Sequence, residues 1–168
     1  LHIIQGNLEG VLDDVYEPTD DHILATLEET RLLARIVDDL QTISLAEAGQ
    51  LTLKFEQVDV GELLDDIATS FGPAAEQDGV NLVVETSGSE SDLVVEADSG
   101  RLDQVLTNLV ANALRHTASD GTVSLQASVD GRLVDIVVAD NGEGIDPVEL
   151  PHIFDRFWRS DRARSRND

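Results

Sequence analysis

The sequence predicts an α+β fold: a helical hairpin, half of a four-helix bundle, followed by an α/β sandwich built on a mixed sheet. Three observations carry this. Apolar residues recur at helical spacing from Ile3 to about Ala48, with one break at Glu17-Pro18-Thr19-Asp20-Asp21. Beyond Gly49 the rhythm changes to short alternating runs interleaved with two helical stretches. Between two of those runs lies Asp130-Gly131, a two-residue hairpin signal.

Taken in order, Leu1 to Asp14 reads as a helix with Ile3, Ile4, Leu8, Val11, Leu12 and Val15 on one broad stripe. Pro18 ends it, and Asp20 or Asp21 is placed to cap the next helix. That helix runs from His22 to about Ala48, with Ile23, Leu27, Thr30, Ala34 and Val37 spaced four, three, four, three, widened by Leu33, Ile36, Leu40 and Ile43. Gly49 closes it. A hairpin with so wide a stripe buries little alone, so its partner surface is expected to be intermolecular. Leu51 to Val58 is extended, Val60 to about Gln77 helical, and Asn81 to Thr86 and Val94 to Ala97 strands around a Gly/Ser-rich turn. Ser99 to about His116 is a helix, Thr122 to Val129 and Arg132 to Ala139 are hairpin strands, and Val148 to Trp158 is a short helix. The domains are set at 1–49 and 50–168.

Charge excludes some functions. With 34 acidic residues against 11 basic ones the net charge is -23. Nucleic-acid backbones and anionic lipid both require basic surface, so neither is a partner. Five of the 11 basic residues are Arg156, Arg159, Arg162, Arg164 and Arg166. Arg156 and Arg159 read as a basic lid near phosphates, and the last few residues as a disordered tail. There is no cysteine, hence no disulfide or thiolate metal site, which fits a reducing, cytoplasmic setting. No apolar run approaches the roughly 20 residues of a membrane span, and no signal peptide is visible. The chain has no methionine and starts at Leu1, so its start is read as a processed end, an unusual start codon or a cut.

Three segments near the C-terminus carry chemistry. The helix from Ser99 has an apolar face of Leu102, Val105, Leu106, Leu109 and Ala113, assigned to the sheet, and a stripe of Arg101, Gln104, Asn108, Asn112 and Arg115. Asn108 and Asn112 align two amide oxygens, hard neutral ligands suited to Mg²⁺, which keeps waters and bridges to phosphates. Arg115 is positioned to neutralise phosphate. Alone, such a stripe is an ordinary polar helix face. Asp140-Asn141-Gly142-Glu143-Gly144-Ile145 follows a strand whose Val134, Ile136 and Val138 share a face. A carboxylate at a strand end accepts from an exocyclic amino group, and the two glycines let backbone approach a flat ring. Alone, this is a tight turn. The third segment is Ile153-Phe154-Asp155-Arg156-Phe157-Trp158.

In this order the three resemble the N, G1 and F boxes of sensor histidine kinases, whose Bergerat fold is shared with gyrase-like ATPases. Arg101 through Thr117 resembles an extended N box, and the preceding hairpin resembles the dimerisation and phosphotransfer module. The resemblance implies ATP and Mg²⁺ as cofactors. It assigns Asn112 to the metal and Asn108 to the phosphates, both counted as catalytic. Arg115 would contact phosphate and His116 line the nucleotide. Asp140 would hold the adenine amino group, Gly142, Gly144 and Ile145 shape the pocket, and Phe154 and Phe157 pack the base of the ATP lid. Hydrolytic relatives carry a glutamate at the position of Asn108. An amide cannot take a proton, so Asn108 fits a kinase with little idle hydrolysis.

Two parts of the pattern are missing. None of His2, His22, His116 and His152 fits the family's acceptor box, and no glycine follows Gly144 to form a G2 box, so the sandwich is expected to be truncated. The leading expectation is the ATP-binding catalytic component of a two-component histidine kinase. It would transfer the γ-phosphoryl group to a histidine on a separate or removed segment, dock a cognate response regulator, and form a homodimer or hetero-oligomer through the hairpin. The alternative is an inactive pseudokinase that dimerises or docks a response regulator. A gyrase-like ATPase is disfavoured by Asn108. All of this requires a crevice joining Asn112 and Asp140.

Overall fold

The computed structural model describes residues 2–13 and 19–155. The expected break at Glu17-Pro18, and Arg156, Phe157, Trp158 and Arg159, lie outside them. The chain divides into two compact units, Leu1–Leu53 and Lys54–Asp168.

The first unit is a helical hairpin of α1 (His2–Leu12) and α2 (Asp20–Glu47). The N-cap of α2 is Thr19, whose side chain accepts the N–H of His22, and not Asp20 or Asp21. Those two carboxylates occupy the first turn, where they complement the positive end of the helix dipole. α2 buries no residue. Its half-buried positions are His22, Thr26, Glu29, Leu33, Asp39, Thr42 and Leu45, whereas Ile23, Leu27, Ile36, Val37, Leu40 and Ile43 are exposed. The apolar stripe read from the sequence is thus left open within its own unit.

The second unit is a layered α/β structure. β1 (Glu56–Asp59) pairs antiparallel with β3 (Val94–Ala97). β2 (Asn81–Ser87), β4 (Thr122–Asp130) and β5 (Leu133–Asp140) form a mixed sheet in that spatial order, β2–β4 parallel and β4–β5 antiparallel. α3 (Val60–Asp78) starts from Asp59, whose side chain accepts the Glu62 N–H, and buries Val60, Leu64, Ile67 and Ala75 on one stripe. α4 (Ser99–His116) lies beside α3. Both helices pack on β4, whose Val123, Leu125 and Ala127 are nearly fully buried, α3 also on β2 and α4 also on β5, whose half-buried Val134, Ile136 and Val138 complete the core.

Register sorts the two faces of the sheet. Leu125 pairs with Val138 and Ala127 with Ile136, and directly opposed residues share a face, so these line the helix side. Gln126 and Glu85 share the other face, joined by a 2.9 Å hydrogen bond.

Three expectations need correction. The residues outside the hairpin ladder are Gly131 and Arg132, because Asp130 still pairs with Leu133; the left-handed φ of 63° falls on Gly131. The buried side of α4 is Leu106, Val110, Ala113 and Leu114, with Leu102 at its margin; Val105 and Leu109 are about half exposed. The helix expected from Val148 to Trp158 is, within the described residues, a single 3-10 turn at Leu150–His152. Pro151 lacks the N–H that a helix begun at Val148 would first donate to the carbonyl four residues back.

Candidate functional site

The site is built from the C-terminal half of α4 and the turn that follows β5. α4 begins at Asp98, whose Oδ1 accepts the Arg101 N–H at 3.1 Å while Oδ2 accepts the Lys54 N–H at 2.8 Å. These two backbone donors, Lys54 foremost, hold the Asp98 carboxyl below the usual carboxylate range. The helix ends at Thr117, buried, with its hydroxyl donating to the Ala113 carbonyl at 2.7 Å. Between these ends Asn108, Asn112 and Arg115 are exposed and His116 is half-buried. Arg101 donates to Gln104 Oε1 at 2.8 Å on the same polar stripe.

Asp140 reaches the same place from the sheet. It pairs with Val123 at the end of β5 and shares the helix-facing side with Val138 and Ile136. Its Oδ1 accepts the Gly142 N–H at 2.9 Å, which orients the carboxylate. Asn141 ties the strand end down: its N–H donates to the Thr122 carbonyl, and its Oδ1 accepts the Thr122 N–H at 2.8 Å.

The following turn sits on the end of α4. A Cβ on Gly142 would overlap the backbone carbonyl oxygen of His116. The Glu143 N–H donates to that same carbonyl at 3.3 Å, and the Glu143 carboxylate lies 3.0 Å from His116 Nδ1. Asp140 is thus tied through Gly142 and the Glu143 N–H to His116, the last residue of α4, one helical turn beyond Asn112.

The chain has relatives among known proteins. Residues 97–168 match the family described as histidine kinase-, DNA gyrase B- and HSP90-like ATPases. The signal transduction histidine-protein kinase BaeS of Escherichia coli (strain K12) is 30% identical over 166 residues, 99% of this chain and 35% of BaeS. The chain thus spans about a third of the length of that curated relative. Among solved structures, Acinetobacter baumannii histidine kinase AdeS is 27% identical with a TM-score of 0.75, over 88% of this chain and 73% of that one. Histidine kinase ThkA, solved in complex with response regulator TrrA, is 25% identical with a TM-score of 0.68, over 94% of this chain and 46% of that one.

The structure does not bring all the expected residues together. His116, Asp140 and Gly142 meet where the turn sits on the end of α4, and Asn108, Asn112 and Arg115 lie exposed along that helix. The two glycines serve different needs. Gly142 is required by the approach to the His116 carbonyl, a protein contact and not only room for a ring. Gly144 has φ 68° with open space around it, so its need is backbone conformation. Ile145 is 48% exposed. Phe154 is 94% exposed, so nothing packs it into the base of a lid among the described residues. Phe157 lies outside them. The sequence reading missed Glu143 and Asn141, which hold the turn to α4 and to β4.

The donor set fits a nucleotide with its metal. Among the described residues no group of three His, Cys, Asp or Glu side chains converges on an ion. A hard cation here would be held by an amide oxygen, water and phosphates, all oxygen donors of the kind that Mg²⁺ takes. A cleft of about 310 Å³ lined by Asp92, Glu96, Arg132 and neighbouring valines lies at the opposite end of β5 from Asp140 and belongs to no part of this site.

Proposed function

We propose that this chain is the ATP-binding catalytic part of a two-component histidine kinase, working on a histidine of a separate polypeptide or segment. The observation that supports it best is the turn that carries Asp140 seated on the end of α4, the helix that carries Asn108, Asn112 and Arg115, in residues that match the histidine kinase-type ATPases. In this reading Asp140 Oδ2 accepts from the exocyclic amino group of adenine while Oδ1 stays on Gly142. Asn112 holds Mg²⁺ through its amide oxygen, and Asn108 and Arg115 hold the phosphates. Mg²⁺ held there would supply charge neutralisation to the phosphates. Asn108 has no basic atom to take a proton from water, so this side of the site orients without promoting hydrolysis. His116 lines the nucleotide. The incoming imidazole nitrogen bonds to the γ-phosphorus as the bond to the β,γ-bridging oxygen breaks, and ADP leaves.

The hairpin, residues 1–49, is read as the dimerisation and docking module, with residues 50–168 as the catalytic domain. The exposed stripe Ile23, Leu27, Ile36, Val37, Leu40 and Ile43 supports pairing of two such hairpins in a homodimer. The ThkA–TrrA complex supports a response regulator as the further partner. Among the described residues no helix is long and apolar enough to cross a membrane. We place the domain in the cytoplasm.

The test is phosphoryl transfer from γ-labelled ATP with Mg²⁺ to a histidine-bearing hairpin protein. Acid-labile label on that partner is expected. D140N should weaken nucleotide binding by roughly 1–3 kcal/mol, because a carboxylate acceptor is replaced by an amide. No label on any histidine partner, together with unchanged nucleotide affinity in D140N, would reject the reading.

A further inference from the structure

We propose that Glu143 is a positioning residue: through the His116 imidazole it latches the turn after β5 onto the end of α4, holding Asp140 and Asn112 in register on one nucleotide. The inference rests on the nucleotide reading above and adds a residue to it. Three contacts join the turn to His116. Two are backbone contacts, the close approach of Gly142 and the 3.3 Å bond from the Glu143 N–H, and both end on the single His116 carbonyl. That bond is long, and a hydrogen bond weakens as it stretches and bends. The third is the 3.0 Å contact between Glu143 Oε1 and His116 Nδ1, with both side chains a little over one-third exposed. It is the one contact in the set that uses side chains, so it is set by the residue types at 116 and 143.

The turn needs such a latch. Asp140, Asn141, Glu143, Gly144 and Ile145 are all exposed, and no residue from 140 to 145 is in the core. Segments with few buried contacts open at little cost in free energy. If the turn lifts, Gly142 leaves the His116 carbonyl, and the Asp140 carboxylate that its N–H orients loses its aim. The carboxylate also sets the chemistry of the ring. Glu143 accepts from Nδ1–H, so the proton stays on that nitrogen and Nε2 remains as the ring's polar atom for a ligand.

The experiment is a double-mutant cycle on the full chain, titrating ADP with Mg²⁺ by calorimetry for wild type, E143A, H116A and the double variant, with E143Q and D140N beside them. Thermal midpoints are taken without nucleotide. E143A is expected to weaken ADP about fivefold, the effect of one partly exposed hydrogen bond. E143Q keeps an acceptor oxygen and is expected to recover most of that loss. In the H116A background E143A is expected to cost clearly less than it does in wild type. Losses that multiply in the double variant, or E143A binding ADP as wild type while D140N is weakened, would overturn the latch and leave the pocket standing. D140N binding as wild type would overturn the pocket and the latch with it.

Discussion

Replacing the two glycines of the turn separates the two reasons the structure gives for them. In G142A the added methyl meets the His116 carbonyl oxygen and carbon, and a backbone atom cannot swing aside as a side-chain tip can. The overlap must be relieved by lifting the turn or shifting the end of α4. Forced overpacking of this kind costs about 1–3 kcal/mol. The displacement falls on the atoms that aim Asp140, so nucleotide affinity should fall by at least tenfold. In G144A the methyl enters open space, and the cost is the left-handed backbone alone, about 1 kcal/mol. G144N should recover part of even that, since asparagine tolerates the left-handed region. G142N should recover nothing. Urea unfolding followed by far-UV circular dichroism gives the stabilities, and titration of ADP with Mg²⁺ gives the affinities. A G142A variant as mild as G144N in both would refute the claim that the turn rests on the His116 carbonyl.

Other consequences are open to measurement. Leu125 is fully buried at the centre of β4, so L125A should lower the stability of the catalytic unit by roughly 2–5 kcal/mol in urea unfolding. A loss well below 1 kcal/mol would mean the core is not centred there. The folded state holds the Asp98 carboxyl below its ordinary range, so its stabilising contribution is present above that range and is lost as pH falls through the folded value. The thermal midpoint of D98N, which cannot accept from the Lys54 N–H while keeping Arg101, should lie below wild type near neutral pH. The two should converge in acid. A gap that widens on acidification would contradict the assignment. Finally, a net charge of -23 repels itself, and screening shortens from about 10 Å at 0.1 M salt to about 3 Å at 1 M. The thermal midpoint should therefore rise between 0.1 M and 1 M KCl; a fall would show that specific ion pairs outweigh the self-repulsion.

Elements whose ends are set by local chemistry were legible from the sequence. α4 runs from Ser99 to His116 as its pattern indicates, because Asp98 caps it at one end and Thr117 turns back on Ala113 at the other. What could not be read was which side of α4 is buried. Leu102, Val105, Leu106, Leu109, Val110, Ala113 and Leu114 span an arc far wider than the sheet covers, and hydropathy does not place the centre of that arc. Packing does, putting Val110 and Leu114 inward and leaving Val105 and Leu109 out. The helix expected after Val148 failed for the opposite reason. Its apolar spacing was read without weighing Pro151, which acts through a missing donor and not through hydropathy.

The aim of Asp140 shows how a site residue can be legible while its neighbours are not. Strand side chains alternate with a period of two, so Val134, Ile136, Val138 and Asp140 must share a face whatever lies beyond the strand. Once the three apolar residues are drawn to the helix side, the carboxylate follows them, and a slip of one residue would send all four to the opposite face together. The apolar rhythm of β5 therefore aims the carboxylate, which makes Asp140 readable from sequence. No such period links residue 143 to residue 116. Their meeting depends on β5 ending beside the last turn of α4, a tertiary fact that leaves no trace in the local pattern of either segment.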